Sequence, residues 1–500
     1  MDSIPESIYL ARQVREMDRI AIEEFGIPGY TLMQRAGEAA FDLIRKTWPD
    51  AGRIVLLAGT GNNGGDGYVM ARLARSAGMQ VQVIQPGDHS GISGDARRAQ
   101  DEYLDCGGLC TSFSGDLPDC DLIVDALLGS GLTRPVEGEL AAAIRSMNAH
   151  PAPVLSADIP SGLDADRGIP LGDAAMAQVT ITFVGMKLGL VTGAGRRYSG
   201  RIFFSDLQIP GEVFRSMQPV CHVIDPGELS ARMGVRRPDA HKGDHGHVLL
   251  IGGNAGMAGS VMLAAEAAAR AGSGLVSVAT VPRHAAMVGT ACREVMVSGV
   301  EGARELDPLV QRATVVAIGP GLGRDLWAQG LLARILELDL PKVLDADALN
   351  LLARDPVHNS SWVLTPHPGE AAKLSGATSQ EIQHNRLEQV QALQERYGGV
   401  CVLKGSGTLV ASGDQVSVCT AGNPGMASGG MGDVLTGIIA GLVAQGLGLY
   451  DAARLGVQLH AHSADLAAQD GMRGLLASDL FGPLRRLVNT AGREVHEPGK

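Results

Sequence analysis

The chain has 500 residues, which is too long for one ordinary hydrophobic core and predicts about two to four domains. Because 45% of the residues are hydrophobic and 19% are charged, the composition excludes a disordered protein. Its 67 glycines follow no every-third-residue period, which excludes a collagen-like protein. The net charge of −12 and the 4% share of aromatic residues argue against a general nucleic-acid binder, although local anion sites made of backbone N–H groups remain compatible with them.

The N-terminal segment and the cysteines indicate the compartment. The first residues, MDSIPESIYL, lack the basic and apolar regions of a secretory signal. Seven cysteines are scattered, and the one cluster, Cys106, Cys110 and Cys120, has no histidine at ligand spacing, so we expect reduced thiols and no zinc site. The longest uncharged apolar run, residues 434–450, is too short for a membrane span. We therefore predict a cytoplasmic protein without membrane or nucleic-acid partners.

The first half alternates short β-branched runs with longer runs rich in Ala and Leu, which is typical of βα units around a parallel sheet. Two helices are predicted first, near residues 9–25 and 31–47. A strand at 53–58, a glycine-rich loop and a helix at 66–77 follow. Further strands are predicted at 81–85, 122–125, 154–158, 179–183 and 202–206. This pattern predicts one doubly wound α/β domain of roughly 210 residues.

The pattern is lost over residues 210–226, so we place a domain boundary at about 215–225. A second series of strands is predicted at 247–251, 275–279, 315–318, 343–345, 362–365, 400–404, 408–410 and 415–419. Helices near 433–444 and 451–469 close the series. Both halves begin with a strand, a glycine loop and a helix, but they share no residue-by-residue repeat.

The first glycine-rich loop reads GTGNNGGDG over residues 59–67. Its five glycines let the backbone approach a ligand closely, and a helix beginning near Asp66 points its positive end at the loop, which suits an anion such as a diphosphate. The loop is neither the G-x-G-x-x-G fingerprint nor a Walker motif. A tight turn capped by Asp66 is the alternative, although Asn62 and Asn63 make the loop more polar than a turn needs.

Two later strand ends carry polar groups as well. Asp125 is followed by ALLGSGL, and Asp158 by IPSGLDAD. Because ligands bind at the carboxyl ends of the strands in an open parallel sheet, we expect these groups to face one crevice. Asp125 and Asp158, with Asn63 and Ser161, offer oxygen ligands for a cation or a general acid/base. Helix capping is the alternative, and the spacing alone does not choose between these roles.

Together, GNNGGDG, DALLGSGL and DIPSGLDAD resemble the NAD(P)H-hydrate epimerase domain, also called the YjeF N-terminal domain, over about residues 10–210. The resemblance implies a Rossmann-like three-layer α/β/α sandwich that interconverts the R and S forms of hydrated NAD(P)H at C6 of the nicotinamide ring. It implies Asp158 as the catalytic acid/base and K+ bound by Asn63, Asp125 and Ser161. It also implies that the hydrate contacts Asp158 together with Asn62, Asn63, Gly64, Gly65, Asp66, Gly129, Ser130, Gly131, Leu132, Thr133, Arg134 and Pro135.

The strongest motif of the second half is AGNPGMASGGMGD, residues 421–433, directly before a long apolar helix. Gly430 to Gly432 would place successive N–H groups at the helix N-terminus and form an oxyanion hole for a transferring phosphoryl group. Asp433 would take the proton from an attacking hydroxyl. The alternative is a glycine-rich turn with Asp433 as the helix cap.

Other strand ends of this half carry weaker signals. Lys404 begins KGSGT, a loop able to hold nucleotide phosphates, although such turns are common on surfaces. Two prolines in TPHPGE set the direction of His367, which is catalytic or structural. Glycine loops at 252–260 and 319–323, and the pair Asp345 and Asp347, are ligand-binding groups or helix caps.

TPHPGE, KGSGT and GNPGMASGGMGDVLTG resemble the ADP/ATP-dependent NAD(P)H-hydrate dehydratase domain, a ribokinase-like α/β fold also called the YjeF C-terminal domain, over about residues 225–495. The whole chain thus resembles the bifunctional bacterial NAD(P)H-hydrate repair enzymes, with an epimerase domain at 1–215 and a dehydratase domain at 225–495. The resemblance implies ADP with Mg2+ as phosphoryl donor. It implies hydrate contacts at Ala258, Gly323, His367 and Asp433, and nucleotide contacts at Lys404, Gly405, Ser406, Gly407, Thr408 and Gly432. Met431 stands where the family pattern has Ser or Thr, and we expect its backbone N–H to be used.

These residues predict a chemical route for dehydration. Hydroxide is a poor leaving group and phosphate is a good one. Asp433 would deprotonate the C6 hydroxyl, which would attack the β-phosphorus of ADP. The ring nitrogen would then expel phosphate, so that the products are NAD(P)H, AMP and phosphate.

Two other functions stay open at this stage. Because a fold does not determine a function, the chain is alternatively a small-molecule kinase with a regulatory N-terminal domain. A kinase releases a stable phosphorylated product, whereas a dehydratase releases free phosphate. The N-terminal domain is alternatively a non-catalytic scaffold that binds nucleotides or a protein. For the repair enzyme we expect NADH and NADPH hydrates and ADP as small-molecule substrates, and a homo-oligomer.

Overall fold

The computed structural model describes residues 4–489, which divide into two compact units between His222 and Val223. Each unit is a mainly parallel sheet covered by helices, so the predicted α/β class is confirmed. None of the helices within residues 4–489 is long and apolar enough to cross a membrane.

The first unit contains a seven-stranded, all-parallel sheet with the order β4-β3-β2-β5-β6-β7-β9. Its strands are β2 (Arg53–Ala58), β3 (Gln80–Gln85), β4 (Cys110–Ser112), β5 (Leu122–Ala126), β6 (Val154–Ala157), β7 (Val179–Phe183) and β9 (Arg201–Ser205). A short strand β1 (Ser7–Tyr9) pairs in parallel with β8 (Met186–Lys187) and antiparallel with β10 (Cys221–Val223). The helices are α1 (Ala11–Glu23), α2 (Gly29–Thr47), α3 (Asn62–Ser76), α4 (Gly94–Asp105), α5 (Gly138–Ala149), α6 (Leu188–Val191), α7 (Gly195–Ser199) and α8 (Gly211–Arg215).

This sheet is buried on both faces, as its apolar strands require. Alternate residues of β2 enter two separate cores: Ile54 and Leu56 join the core formed with α1 to α4, and Val55 and Leu57 join the core formed with α5. The result is the predicted three-layer sandwich. The chain leaves β2 toward β3 on one side and returns to β5 on the other, so the strand order reverses between β2 and β5.

The start of α3 was predicted wrongly. The helix begins at Asn62, not near Asp66, so most of the glycine-rich loop forms its first turns. Two contacts explain this: a Cβ on Gly64 would overlap the carbonyl of Gly59, and a Cβ on Gly65 would lie 2.5 Å from the Met33 side chain. These two glycines therefore allow a helix turn to pack closely against its neighbours.

The second unit contains a sheet with the order β13-β12-β11-β14-β15-β16-β17-β18-β19. It is parallel from β13 to β17 and antiparallel from β17 to β19. The strands are β11 (His247–Ile251), β12 (Leu275–Thr280), β13 (Met296–Gly299), β14 (Val315–Ile318), β15 (Lys342–Leu344), β16 (Trp362–Leu364), β17 (Val400–Leu403), β18 (Thr408–Ser412) and β19 (Gln415–Cys419). The helices are α9 (Pro226–Met233), α10 (Ala258–Ala271), α11 (Pro282–Ala291), α12 (Asp307–Val310), α13 (Leu326–Leu336), α14 (Ala346–Leu352), α15 (Pro368–Ser375), α16 (Ser379–His384), α17 (Arg386–Tyr397), α18 (Met431–Ala444), α19 (Leu449–Ala467) and α20 (Phe481–Leu487).

The core of the second unit is built around the apolar helix α18, whose residues from Val434 to Leu442 are all buried. Gly437 and Gly441 lie against the backbone of α10, so the two helices approach closely along one face. Because α18 begins directly after the motif at 421–430, this packing sets the position of Gly432 and Asp433.

Candidate active sites

The first candidate site is a cavity of about 830 Å³ in the first unit. It lies where the strand order reverses, beside the loops that follow β2 and β5, which is where open parallel sheets bind ligands. Helix α1 also contributes to its wall, through Val14, Arg15, Asp18 and Ile22. The predicted contacts that line the cavity are Asn62, Asn63, Asp66, Gly129, Ser130, Gly131, Leu132, Thr133, Arg134 and Asp158. The lining does not include Gly64, Gly65 and Pro135.

Asp158 follows β6 directly and has a φ of +63°, a backbone conformation that is uncommon for a residue other than glycine. Its Oδ1 lies 2.5 Å from the Lys187 ammonium. Its Oδ2 accepts a hydrogen bond of 3.1 Å from the backbone N–H of Ser130. Both oxygens therefore accept from a donor, which fixes the carboxylate at the cavity wall.

Lys187 is the partner that sequence reasoning missed. Its side chain is 1% exposed, and its ammonium donates to Asp158, to the Thr182 hydroxyl at 3.0 Å and to the Phe183 carbonyl at 2.8 Å. All three donors of a lysine are thus used. A buried, fully bonded lysine next to an acid is a candidate functional group. The two-residue strand β8 that carries it is too short to give a recognisable pattern in the sequence.

Asp125 and Ser161, two of the predicted K+ ligands, are in direct contact. Asp125 is buried and accepts from the Ser161 hydroxyl at 2.5 Å, from the Ser161 N–H at 2.8 Å and from the Ser156 hydroxyl at 2.8 Å. Burial raises the pKa of Asp125, and these hydrogen bonds oppose the rise. The third predicted ligand, Asn63, is 8% exposed, and neither atom of its amide has a hydrogen-bond partner within residues 4–489.

Three carboxyl groups of the cavity influence one another. Burial raises the pKa of Asp18 to about 6, the Lys187 ammonium opposes the rise and Asp158 adds to it. Burial also raises the pKa of Asp66 well above its usual value, and Asp158 and Asp18 add to the rise. One ammonium thus faces three carboxyl groups, and the pKa values of two of them, Asp18 and Asp66, are raised.

The second candidate site lies at the carboxyl ends of β15, β16 and β17 and at the start of α18. Lys404 reaches across this edge, with its Nζ 2.8 Å from Asp345 Oδ1 and 3.8 Å from Glu370 Oε2. Asp345 is buried and also accepts from the hydroxyls of Thr365 and Thr436, each at 2.8 Å. Burial alone would lower the pKa of Lys404, but the carboxylates of Asp345, Glu370 and Asp433 outweigh it and the pKa is raised.

Asp433 is the third residue of α18. Gly430, the residue directly before this helix, has a φ of +88°. The first turn of a helix leaves N–H groups without helical partners, so Gly432 and Asp433 lie at a positive helix end. Burial raises the pKa of Asp433 to about 6, and Asp345 adds to the rise. A hydrogen bond from the Ser260 hydroxyl and the charge of Lys404 oppose it. Asp433 is therefore a carboxylate near neutral pH, but a stronger base than an exposed aspartate.

His367 caps α15 and its side chain is 55% exposed. Its Nδ1 accepts from the Gly369 N–H at 3.0 Å, and its Nε2 lies 3.3 Å from Glu370 Oε1. Burial of the imidazole lowers the pKa of His367. Burial raises the pKa of Glu370 to about 7, against the charge of Lys404. His367, Glu370 and Lys404 therefore form one connected polar group.

Arg386 supports the predicted nucleotide loop, and sequence reasoning missed it. It is 2% exposed, and its guanidinium donates to the Leu403 carbonyl at 3.2 Å and to the Gly407 carbonyl at 3.2 Å. Burial lowers its pKa to about 10. Gly405 has a φ of +136°, and a Cβ there would lie 2.9 Å from the guanidinium. Arg386 therefore anchors the loop backbone on its buried side, while Gly405 and Ser406 are exposed.

The other predicted contacts lie at neighbouring strand ends. Ala258 is the first residue of α10, two residues before Ser260, whose hydroxyl bonds Asp433. Gly323 follows β14, and its N–H donates to Asp347 Oδ2 at 3.0 Å. Met431 is 5% exposed and belongs to the core of the unit. Its backbone N–H is therefore the group that it can offer to a ligand. The fold thus gathers at one edge the groups that the sequence spreads over 175 positions.

Comparison with known proteins identifies both units. Residues 29–189 match the family described as YjeF-related protein N-terminus, and residues 248–486 match the family described as NAD(P)H-hydrate dehydratase. In solved structures, the chain is 30% identical to the ADP/ATP-dependent NAD(P)H-hydrate dehydratase from Bacillus subtilis co-crystallised with ATP and Mg2+, with a TM-score of 0.50. That match covers 53% of this chain and 96% of the Bacillus chain, and it confirms the fold expected for the second unit.

Two curated relatives match nearly the whole chain. The bifunctional NAD(P)H-hydrate repair enzyme Nnr of Coxiella burnetii is 47% identical, over 96% of this chain and 99% of the relative. The enzyme of the same name from Escherichia coli is 44% identical, over 97% of this chain and 95% of the relative. The chain belongs to the family of bifunctional NAD(P)H-hydrate repair enzymes.

Proposed function

We propose that the chain repairs hydrated NAD(P)H with two activities: the first unit interconverts the R and S hydrates, and the second dehydrates the S hydrate with ADP. The observation that carries this proposal is Asp433, a half-buried carboxylate at a helix N-terminus that shares its environment with Lys404 and Asp345. This arrangement combines a base with donors for phosphate oxygens, as phosphoryl transfer requires. The domain limits of 1–215 and 225–495 remain part of the proposal.

In the second unit, Asp433 takes the proton of the C6 hydroxyl, whose oxygen attacks the β-phosphorus of ADP while the bond to AMP breaks. The N–H groups at the start of α18, including that of Gly432, bind the transferring phosphoryl oxygens. The ring nitrogen then expels phosphate from C6, and a proton leaves C5, so that NAD(P)H, AMP and phosphate result. Ala258, Gly323 and His367 contact the hydrate, and residues 404–408 contact the nucleotide. Mg2+ enters with the nucleotide phosphates.

In the first unit, Asp158 acts as an acid/base on the C6 hydroxyl of the hydrate. Loss of water gives a planar iminium, and return of water to the other face inverts C6. The first turn of α3 at 62–66 and the loop at 129–135 hold the nucleotide part of the substrate. Asn63, Asp125 and Ser161 would hold K+, because the unpartnered amide oxygen of Asn63 and the hydroxyl of Ser161 suit a monovalent cation. When bound, the ion would supply a positive charge to this part of the site.

The remaining parts of the proposal concern the nucleotide, the compartment and assembly. ADP is preferred over ATP, and the active protein is a cytoplasmic homo-oligomer. All seven cysteines are free thiols, which fits a reducing compartment.

The test supplies purified R or S NADH hydrate, ADP, Mg2+ and K+ to the wild type, Asp158→Asn and Asp433→Asn, and follows NADH at 340 nm and free phosphate. The wild type should recover both hydrates and require ADP. Asp433→Asn should bind ADP normally and lose dehydration by about 100-fold or more. Asp158→Asn should recover the S form alone. Undiminished turnover in a variant would exclude its proposed role, and a stable phosphorylated product without NADH would indicate a kinase.

A further inference from the structure

Epimerisation by loss and return of water places two demands on the first unit. One group must protonate the hydroxyl that leaves from one face of the ring. Another must take a proton from the water that adds to the other face. Asp158 is tied at both oxygens to Lys187 and Ser130, so its position is fixed with respect to one face. An acid/base from a different element would serve the second proton transfer.

Helix α1 provides such a group. Asp18 lines the same cavity as Asp158 and is half-buried, yet it comes from the N-terminal helix and not from the strand ends. No hydrogen bond or ion pair to the Asp18 carboxylate is found among the described contacts, in contrast to Asp158. Helix α1 also lies outside residues 29–189, which match the N-terminal family.

We propose that Asp18 is a second catalytic acid/base of the epimerase, working with Asp158 on the C6 hydroxyl and the incoming water. This inference depends on the proposed epimerase activity. In conversion of R to S, the protonated Asp18 gives its proton to the C6 hydroxyl, the C–O bond breaks with its electrons on the departing water, and the nitrogen lone pair forms the iminium. Asp158 then takes a proton from the water that adds to C6. Exchange with solvent returns a proton to Asp18 and removes one from Asp158, so the next turnover starts from the same protonation state, and conversion of S to R exchanges the two roles.

The charges around Asp18 fit this role. Lys187 from β8, Asp158 from the end of β6 and Asp66 from α3 act on it electrostatically, and Arg15 lies on the same helix. Because its pKa is raised to about 6, Asp18 exchanges a proton readily near neutral pH. If delivery of a proton by Asp18 limits the rate, kcat/KM for epimerisation falls as the pH rises through about 6.

The test compares Asp18→Asn, Asp18→Glu and a matched control, Glu16→Gln. Glu16 lies on the same helix, pairs with Arg19 at the surface and does not line the cavity, so its loss should be nearly neutral. Purified R hydrate is converted without ADP, and the S form is quantified by chromatography from pH 5 to 8.5. Dehydration of the S hydrate by the second unit serves as an internal reference for each preparation.

We expect Asp18→Asn to lose at least about 100-fold in kcat/KM and to lose the fall above pH 6, Asp18→Glu to recover part of the rate, and Glu16→Gln to match the wild type. An Asp18→Asn variant with the wild-type rate, or with a reduced rate that still falls above pH 6, would overturn the inference and leave the epimerase proposal intact. A wild type unable to convert R hydrate would instead refute the epimerase activity itself.

Discussion

Asp433 shows how single contacts tune the proposed base of the second unit. Burial and the neighbouring Asp345 raise its pKa, whereas the Ser260 hydroxyl and Lys404 lower it. The balance leaves a pKa of about 6, so the carboxylate form dominates at pH 7 while its basicity exceeds that of an ordinary aspartate. Dehydration should accordingly rise as the pH increases through about 6.

Ser260→Ala tests this balance. The hydroxyl stabilises the ionised carboxylate, so its removal should raise the pKa of Asp433 and move the acid limb of dehydration to higher pH. The measurement is kcat/KM for S hydrate at saturating ADP from pH 5 to 8.5. Ser273→Ala is the control, because Ser273 bonds the Ala268 carbonyl at the other end of α10. An acid limb that stays in place or moves to lower pH would contradict this account of Asp433.

Sequence reasoning found the acidic groups of the two sites better than their basic partners. Asp158 and Asp433 stand beside glycine-rich motifs at strand ends, where their position is informative. Lys187 and Arg386 lie in a two-residue strand and at the start of an ordinary polar helix. From the sequence alone, both residues are interpreted as surface charges, because most lysines and arginines are exposed. Each side chain has a partner distant in the chain: Lys187 bonds Asp158, 29 positions away, and Arg386 bonds Gly407, 21 positions away. No local pattern encodes these contacts.

The elements themselves were predicted more closely. Strands β2, β7, β11, β14 and β19 have the predicted limits, because short apolar runs between turn residues are a strong signal. The prediction of where α3 begins was wrong because five glycines in nine residues indicate a loop by propensity. Packing against Gly59 and Met33 favours a helix instead. Tertiary contact thus decided the structure of this motif against its local preference.

The crossing of α10 and α18 shows the same effect of small residues. A Cβ on Gly437 would overlap the Ala264 carbonyl, and one on Gly441 would lie 2.7 Å from the Ala268 carbonyl. These contacts involve backbone, which cannot move aside as a flexible side chain can. The glycines therefore fix the approach of α18 and, through it, the place of Asp433.

Gly437→Ala should destabilise the second unit by about 2 kcal/mol or more, because the added methyl overpacks the crossing. Gly330→Ala is the matched control: Gly330 lies inside α13, and a Cβ there meets nothing within 4 Å. The control should gain about 0.5–1 kcal/mol from helix propensity. Urea unfolding followed by tryptophan fluorescence suits the test, since Trp327 and the buried Trp362 lie in this unit. Equal stability of the two variants would refute the role of the crossing.

At the scale of the whole molecule, each unit has its own core and its own candidate site. The cavity of the first unit is lined entirely by residues of that unit, and the groups around Asp433 all belong to the second. Neither proposed reaction therefore needs a residue from the other unit. The S hydrate that leaves the first unit is the substrate of the second, so the two activities form a sequence.

Complementation tests whether this sequence runs through solution. Asp158→Asn should dehydrate S hydrate but fail on R hydrate, and asparagine suits this position because it tolerates the positive φ. Asp433→Asn should epimerise but not dehydrate. A mixture of the two variants, given R hydrate and ADP, should restore NADH formation at a rate that rises with the concentration of Asp433→Asn, because released S hydrate diffuses to the intact second unit. Asp158→Asn alone measures spontaneous epimerisation. If the mixture stays at that background while each variant retains its other activity, transfer within one chain is required, and independence of the two sites is refuted.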